Sequence, residues 1–379
     1  MRTLQTLPAT TFDRAEVLPR SFPLTVSGGW WPTSHVQGIA VDRSKGHVYF
    51  SFTTVLVKTD LHGRLLATVE GLSGHLGDVT FDPGTRKLYG SLEYKAAEAF
   101  YVAVFDVDAI HRVGLEATDP RVMRTVHLAE VTADFIAPPS TPQADTAARG
   151  RYGCSGIDGI AMGPRFGGVD GRRMLTVAYG VYSGIDREDN DHQVLLQYAA
   201  VDWWDTLARP LVEAAPHRSG PARPDGKYFV RTGNTTFGVQ NLEYDAELRR
   251  WFLGVYPGRK LAFPNFTLFA VDADARPRRG ALAGLAGERG RQLPLAVDGL
   301  ADRSTGVRGW YQRADVGIAA LGGGLFYLST AGAADGLQTS RLTLCRWTGE
   351  AVRPFLPVEQ EPAEQWAPVD AAGRRIAAV

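Results

Sequence analysis

Two histidines, two carboxylates and two amides stand at matching places in this sequence. His35 and His75 each lead into a short polar turn, and Gln37, Asp158 and Gln240 each lie two residues before an apolar residue that starts a strand-like run. Glu93 closes another such run. Glu93 and Asp158 form an acid/base pair of the kind that divides the labour of glycosidic cleavage. One carboxylic acid protonates the leaving oxygen, and one carboxylate acts as base or nucleophile. On this reading Glu93 is the acid and Asp158 the base or nucleophile. His35 and His75 can orient the sugar, move protons near neutral pH, or hold a divalent metal with Asp158, since imidazole and carboxylate suit Zn or Mn. In an elimination, histidine and Tyr182 would handle the protons while Arg259 or Lys260 neutralises a uronate. Gln37, Asp78, Gln240, Asn241 and Asp315 offer hydrogen bonds, and Tyr179 and Tyr256 offer faces for a sugar ring.

Each feature has a plainer alternative. Glu93 can pair with Lys95 or Arg86, Asp158 can cap its turn, and a histidine is often only structural. Asp186–His192 is acidic enough for Ca²⁺ but lacks the spacing and glycine of a calcium loop, so it reads as a solvated charge run. Trp30-Trp31, beside Gly28-Gly29, is either a stacking platform or packing.

The elements that must position these residues are repeats. Ser34–Asp42 followed by Gly46–Phe52 reads as turn, buried strand, reverse turn, strand, and the phrase returns four times. The aligned apolar residues are Ile39, Val79, Ile160, Leu242 and Ile318, separated by 40, 81, 82 and 76 residues. A period of about 40 suits one four-stranded propeller blade. The first interval spells one blade as Gly38–Asp42, His47–Phe52, Leu56–Asp60 and Leu65–Glu70. The longer intervals hold one opening phrase each, with loop-like surplus at 143–153, 216–224 and 272–291. Gly280–Gly290 is not expected to be a strong element. The expected fold is an all-β propeller of five blades, with six or seven as the alternative. Residues 1–30 would be a leader whose Ser21–Ser27 strand closes the ring, residues 31–356 the propeller, and residues 357–379 a polar tail.

The phrase Gly-Ile-Ala-Val-Asp followed by Gly-His-Val-Tyr-Phe resembles the blade openings of NHL-type and SMP-30-type propellers. The resemblance covers about 15 residues per blade and implies the fold. It carries over no catalytic residue, because the metal-ligand pattern of the SMP-30 lactonases is not evident.

In a propeller, the links entering the inner strands and those leaving the second strands converge on one mouth. Four positions before the aligned apolar residue stand His35, His75, Gly156, Gly238 and Ala314. Two before stand Gln37, Gly77, Asp158, Gln240 and Val316, and one before stand Gly38, Asp78, Gly159, Asn241 and Gly317. Strand alternation puts the first two rows on one side, so His35, Gln37, His75, Asp158 and Gln240 should face a shared space.

Composition narrows the class. The 41 basic and 41 acidic side chains balance, which argues against a nucleic-acid partner. No apolar run approaches the 18–20 or so residues of a membrane span, and the start lacks a signal-peptide core, so a cytoplasmic location is expected. Cys154 and Cys345 are too few for a disulfide framework. There is no nucleophile elbow, P-loop or dinucleotide fingerprint. Three functions follow: a carbohydrate-active hydrolase or lyase, a metal-dependent lactonase or esterase-like hydrolase, or a non-catalytic ligand-binding propeller. No cofactor is implied with certainty; a divalent metal belongs to the second reading.

Overall fold

The computed structural model describes residues 22–140, 149–168, 171–200 and 202–359. Its five main sheets form a five-bladed β-propeller. Blade one is Val36–Asp42, His47–Phe52, Val55–Asp60 and Leu65–Glu70, and blade two is His75–Asp82, Lys87–Tyr94, Ala99–Asp106 and Met123–His127. Blade three is Cys154–Pro164, Arg173–Val181, His192–Tyr198 and Gly226–Arg231. Blade four has the three strands Thr236–Asp245, Arg250–Tyr256 and Leu268–Asp272. Blade five is Ile318–Gly322, Leu325–Ala334 and Leu337–Trp347. Each first strand packs against the next around the axis, and that of blade five returns to that of blade one.

The repeated phrase builds this locally. Inner strands lie between neighbouring blades and the axis, so both faces are buried and apolar residues run on without alternation. In Val36–Asp42 only Val41 is not fully buried. The aspartate ending the phrase holds the following reverse turn. Asp42 accepts the backbone N–H groups of Ser44 and Lys45, Asp82 that of Gly84, and Asp245 those of Glu247 and Leu248. The core is divided into layers between blades. Tyr49, Leu56 and Ala67 of blade one meet Leu88, Tyr101 and Phe105 of blade two, and Phe252 of blade four meets Phe326 of blade five. Each such buried side chain contributes about 1.5–3 kcal/mol.

The N-terminal strand is Thr25–Trp31, shifted from the expected span, of which Ser21 lies outside the described residues. It pairs antiparallel with Leu337–Trp347 and supplies the outer strand of blade five. Trp30 and Trp31 belong to this closure rather than to the mouth. A chain begun at Pro32 would leave the Leu337–Trp347 edge unpaired, and such an edge invites intermolecular pairing. It should lose cooperative unfolding and aggregate; calorimetry with light scattering against the full chain tests this.

Two regions differ from expectation. Arg278–Ala281 and Arg289–Leu293 form a hairpin, within the stretch expected to be irregular. Its partner lies outside its own repeat: Arg289–Leu293 adds in parallel to Gly226–Arg231, the edge of blade three, so tertiary pairing overrides weak local propensity. Ala129–Ile136 is a helix after blade two. Among the described residues, no helix is long and apolar enough to cross a membrane. The expected leader to residue 21, loop residues 143–148 and tail from residue 360 lie outside the described residues.

Candidate functional site at the axial mouth

Bulges at the start of the inner strands decide where the polar rows point. Strand register shifts between Val36 and Gly38, Leu76 and Val79, Ile157 and Ile160, and Val239 and Asn241. A bulge bends the strand and re-aims its side chains. The row one residue before the aligned apolar position is thereby turned onto the axis itself, where there is little room. A Cβ on Gly38 would lie 2.3 Å from Asp78 Oδ1, and one on Gly159 would lie 2.9 Å from Val239. Only Asp78 and Asn241 carry side chains in the first four blades of this row. Asp78 accepts the N–H groups of Val79, Ile160 and Leu242 at 2.9, 3.1 and 2.9 Å. Asn241 donates to the Gln37 carbonyl at 2.6 Å. Blades one to four are thus bonded across the axis. Asp78 and Asn241 are structural here rather than ligand-facing, which corrects the sequence expectation.

Above this plug opens a cavity of about 710 Å³, lined by His35, Gln37, His75, Asp158, Gln240 and Tyr256, with Glu93, Tyr94, Lys95, Glu213 and Phe237. All five residues expected to face a shared space therefore line one cavity. Gln37 Nε2 lies 3.0 Å from His75 Nε2 and 3.3 Å from Thr53 Oγ1. An amide N–H can only donate, so His75 Nε2 is the acceptor and Nδ1 carries the proton. That Nδ1 points between Glu93 Oε2 at 3.7 Å and Asp158 Oδ1 at 3.8 Å. Both separations exceed hydrogen-bond length. His75 Nδ1 and Asp158 Oδ1 have no protein partner, whereas Asp158 Oδ2 accepts from Gln240 at 3.1 Å.

Glu93 is differently placed. It is 3% exposed, and both its oxygens are engaged: Oε1 by the Ile157 N–H at 2.6 Å and Oε2 by Lys95 at 3.1 Å. Gly156 gives it space, since a Cβ there would lie 1.8 Å from Oε1. Glu93 thus sits at the buried back of the cavity, paired with Lys95, a less accessible place than the acid role expected for it requires. Its pairing with Lys95 was the plainer alternative.

Burial sets the protonation pattern. It pushes Glu93 up to about 7 against the pull of Lys95. It raises Asp158 well above the carboxylate range, and the neighbouring Glu93 raises it further. Burial, Lys95 and His35 lower His75 to about 4, so it is neutral. Glu213 is the exception. Burial would raise it, but the Ser73 hydroxyl and N–H and the Tyr94 hydroxyl more than offset this and hold it below its ordinary value. Of the three carboxyls that line the cavity, Asp158 and Glu93 are thus raised and Glu213 is lowered.

The remaining expected residues lie elsewhere. Tyr179 is core, its hydroxyl donating to Asp134 at 2.8 Å. Lys260 is bonded to Asp191 at 2.6 Å, and Arg187 forms a buried pair with Asp189 at 2.9 Å. The Asp186–His192 segment thus spends these charges internally rather than in solvent. Arg259 is exposed outside the lining. Asp315 is buried and paired with Arg313 at 2.6 Å. Tyr182 is absent from the lining, its ring beneath Arg187. His35, His75 and Asp158 do not form a metal site: among the described residues no group of three or more His, Cys, Asp or Glu could hold a metal ion. Lys95 and Glu213 line the mouth without having been singled out as site residues. Glu213 arrives on the connection between the third and fourth strands of blade three, which folds back over blade two, so no local motif marks it.

A second cavity of about 230 Å³ lies beyond the plug, at the far ends of the inner strands. Burial pushes its Glu243 up to about 8. Folded pKa values above the unfolded ones make stability fall as pH rises, through about 7 for Glu93 and about 8 for Glu243. His75, His127 and His192, each lowered by burial to about 4, act oppositely, but only up to the unfolded histidine value of 6.5. Between pH 6.5 and 8 the carboxyls act alone. Unfolding free energy should drop there by on the order of 1 kcal/mol or more, and Glu243→Gln should make that drop smaller in urea titrations.

Fold and site together define a β-propeller with a ligand-sized axial mouth. No family model and no curated protein matches the chain. Among solved structures it is similar to the β-propeller domain of Cps50 (Swd1) from Myceliophteria thermophila, at 9% identity and a TM-score of 0.32, over 81% of this chain and 83% of that one.

Proposed function

We propose that the mouth is the active site of a carbohydrate-active enzyme that cleaves a glycosidic linkage by hydrolysis, with Asp158 as proton donor and Glu213 as the ionised carboxylate. The observation that carries this reading is that Asp158, whose Oδ1 has no protein partner, and Glu213 line one cavity, with the first carboxyl raised and the second lowered by its surroundings. Paired groups whose environments drive their pKa values apart mark acid and base roles. The volume of about 710 Å³ suits a small ligand. Gln37 and Gln240 can bond sugar hydroxyls, and Phe237, Tyr94 and Tyr256 offer ring faces. Asp158 would give its proton to the glycosidic oxygen as the C–O bond breaks. Glu213 would take a proton from the incoming water or bond the anomeric carbon. His75, neutral, stands beside Asp158 with Nδ1 3.8 Å from Oδ1, and Glu93 helps keep Asp158 protonated. Elimination is less well supported, because Lys260 is already neutralised and Tyr182 stands outside the lining.

Non-catalytic recognition of a sugar-like ligand is the second reading. It is favoured by the hydrogen bonds that Glu213 accepts from Ser73 and Tyr94, which also suit a purely structural carboxylate. Product release from an oligosaccharide panel, followed chromatographically for wild type and Glu213→Gln, separates the two. Hydrolysis lost in the variant supports the enzyme. Wild-type binding without cleavage supports recognition, and equal cleavage by both proteins removes Glu213 from the mechanism.

A further inference from the structure

Away from the mouth, the hairpin added to blade three carries charge that the protein does not neutralise. Arg279 stands directly opposite Arg291 across its two strands, and Arg289 lies one pair further along the same face. Like charges in directly opposed positions are destabilising. The pair Arg278 and Gln292 alternates to the other face, and there it borders a cleft of about 520 Å³ together with Arg231 and Arg308. Arg231 donates to the Thr305 carbonyl and Arg308 to the Val297 carbonyl. None of the three arginines has a carboxylate partner among the described residues.

Nearby acids are committed elsewhere. Glu288 binds Arg151, Asp272 and Asp298 bind Arg250, and Asp274 binds Arg249. Asp302 accepts from Ser304 and Thr305 within its own turn. Asp191, whose ionisation Arg231 favours, is bonded by Lys260. In a chain of zero formal net charge, three guanidinium groups from three separate segments border one concave surface with no ion-pair partner among the described residues. Guanidinium groups match oxyanions in charge and in fork geometry. A flat basic face would suit a polymer, but a cleft of this size encloses a small molecule.

We infer that the cleft bordered by Arg231, Arg278 and Arg308 is a binding site for a small ligand carrying phosphate or sulfate groups, separate from the axial mouth. The test is calorimetric titration of the full chain with sodium pyrophosphate, and in a second arm with sodium sulfate, against sodium chloride at matched ionic strength. Arg278→Gln is the informative variant, because Arg278 makes no hydrogen bond or ion pair whose loss would disturb folding. Arg279→Gln removes the same charge from the opposite face. Saturable binding of pyrophosphate or sulfate is expected, about tenfold weaker in Arg278→Gln and nearly unchanged in Arg279→Gln. The arm that binds more tightly tells phosphate from sulfate as the natural group. Equal weakening in both variants, or heats no different from chloride, would overturn the site. So would binding restricted to a polymeric anion such as heparin.

Discussion

Asp78→Ala should lower the unfolding free energy by about 3–5 kcal/mol. The carboxylate accepts N–H groups from blades two, three and four. Truncation leaves the Ile160 and Leu242 donors buried on the axis, and an unsatisfied buried donor costs about 1–3 kcal/mol. Gly38, which faces it, has no side chain to replace it. Burial raises the Asp78 pKa well above its ordinary value even though its three hydrogen bonds pull the other way. Asp78→Asn keeps one acceptor oxygen and should lose less. Urea unfolding of the two variants measures this, and a loss below about 1 kcal/mol in Asp78→Ala would mean that the blades are not tied together at that point.

The second large effect is catalytic. Asp158→Asn should reduce hydrolysis by about 10²–10⁴-fold, because the amide cannot deliver a proton to a leaving oxygen. Ligand affinity should change far less, since Gln240 can still bond the side chain and the cavity keeps its shape. Glu93→Gln makes the account more specific. Glu93 helps hold Asp158 protonated, so its neutralisation should shift the alkaline limb of the pH–rate profile downward while leaving the limiting rate much closer to wild type. If Glu93→Gln were as inactive as Asp158→Asn at every pH, Glu93 would be a direct participant and the assignment of roles would be reversed.

Much of the frame could be read from residue order. Phrases like Gly38-Ile39-Ala40-Val41-Asp42 mark inner strands because a strand buried on both faces needs no alternation, and because the aspartate holds the next turn. The same phase brought His35, Gln37, His75, Asp158 and Gln240 together. What escaped was the consequence of the bulges. A one-residue shift turns Asp78 and Asn241 from the rim onto the axis, and simple alternation cannot anticipate it. Glu213 escaped for another reason. It is bonded to Ser73, 140 residues away, through a return segment with no repeat signature. The arginine hairpin escaped because its strand partner belongs to a different blade.

The central claim is that four blades serve one ligand in the mouth. Isothermal titration of a mono- and disaccharide panel into wild type, and into Gln37→Ala, His75→Ala, Asp158→Ala and Gln240→Ala, tests it most directly, since each variant alters a different blade. A sugar bound by wild type should lose about tenfold or more in affinity in every one of the four variants, with circular dichroism melts close to wild type. Affinity unchanged in all four, for a sugar that wild type does bind, would place the ligand elsewhere and contradict the account.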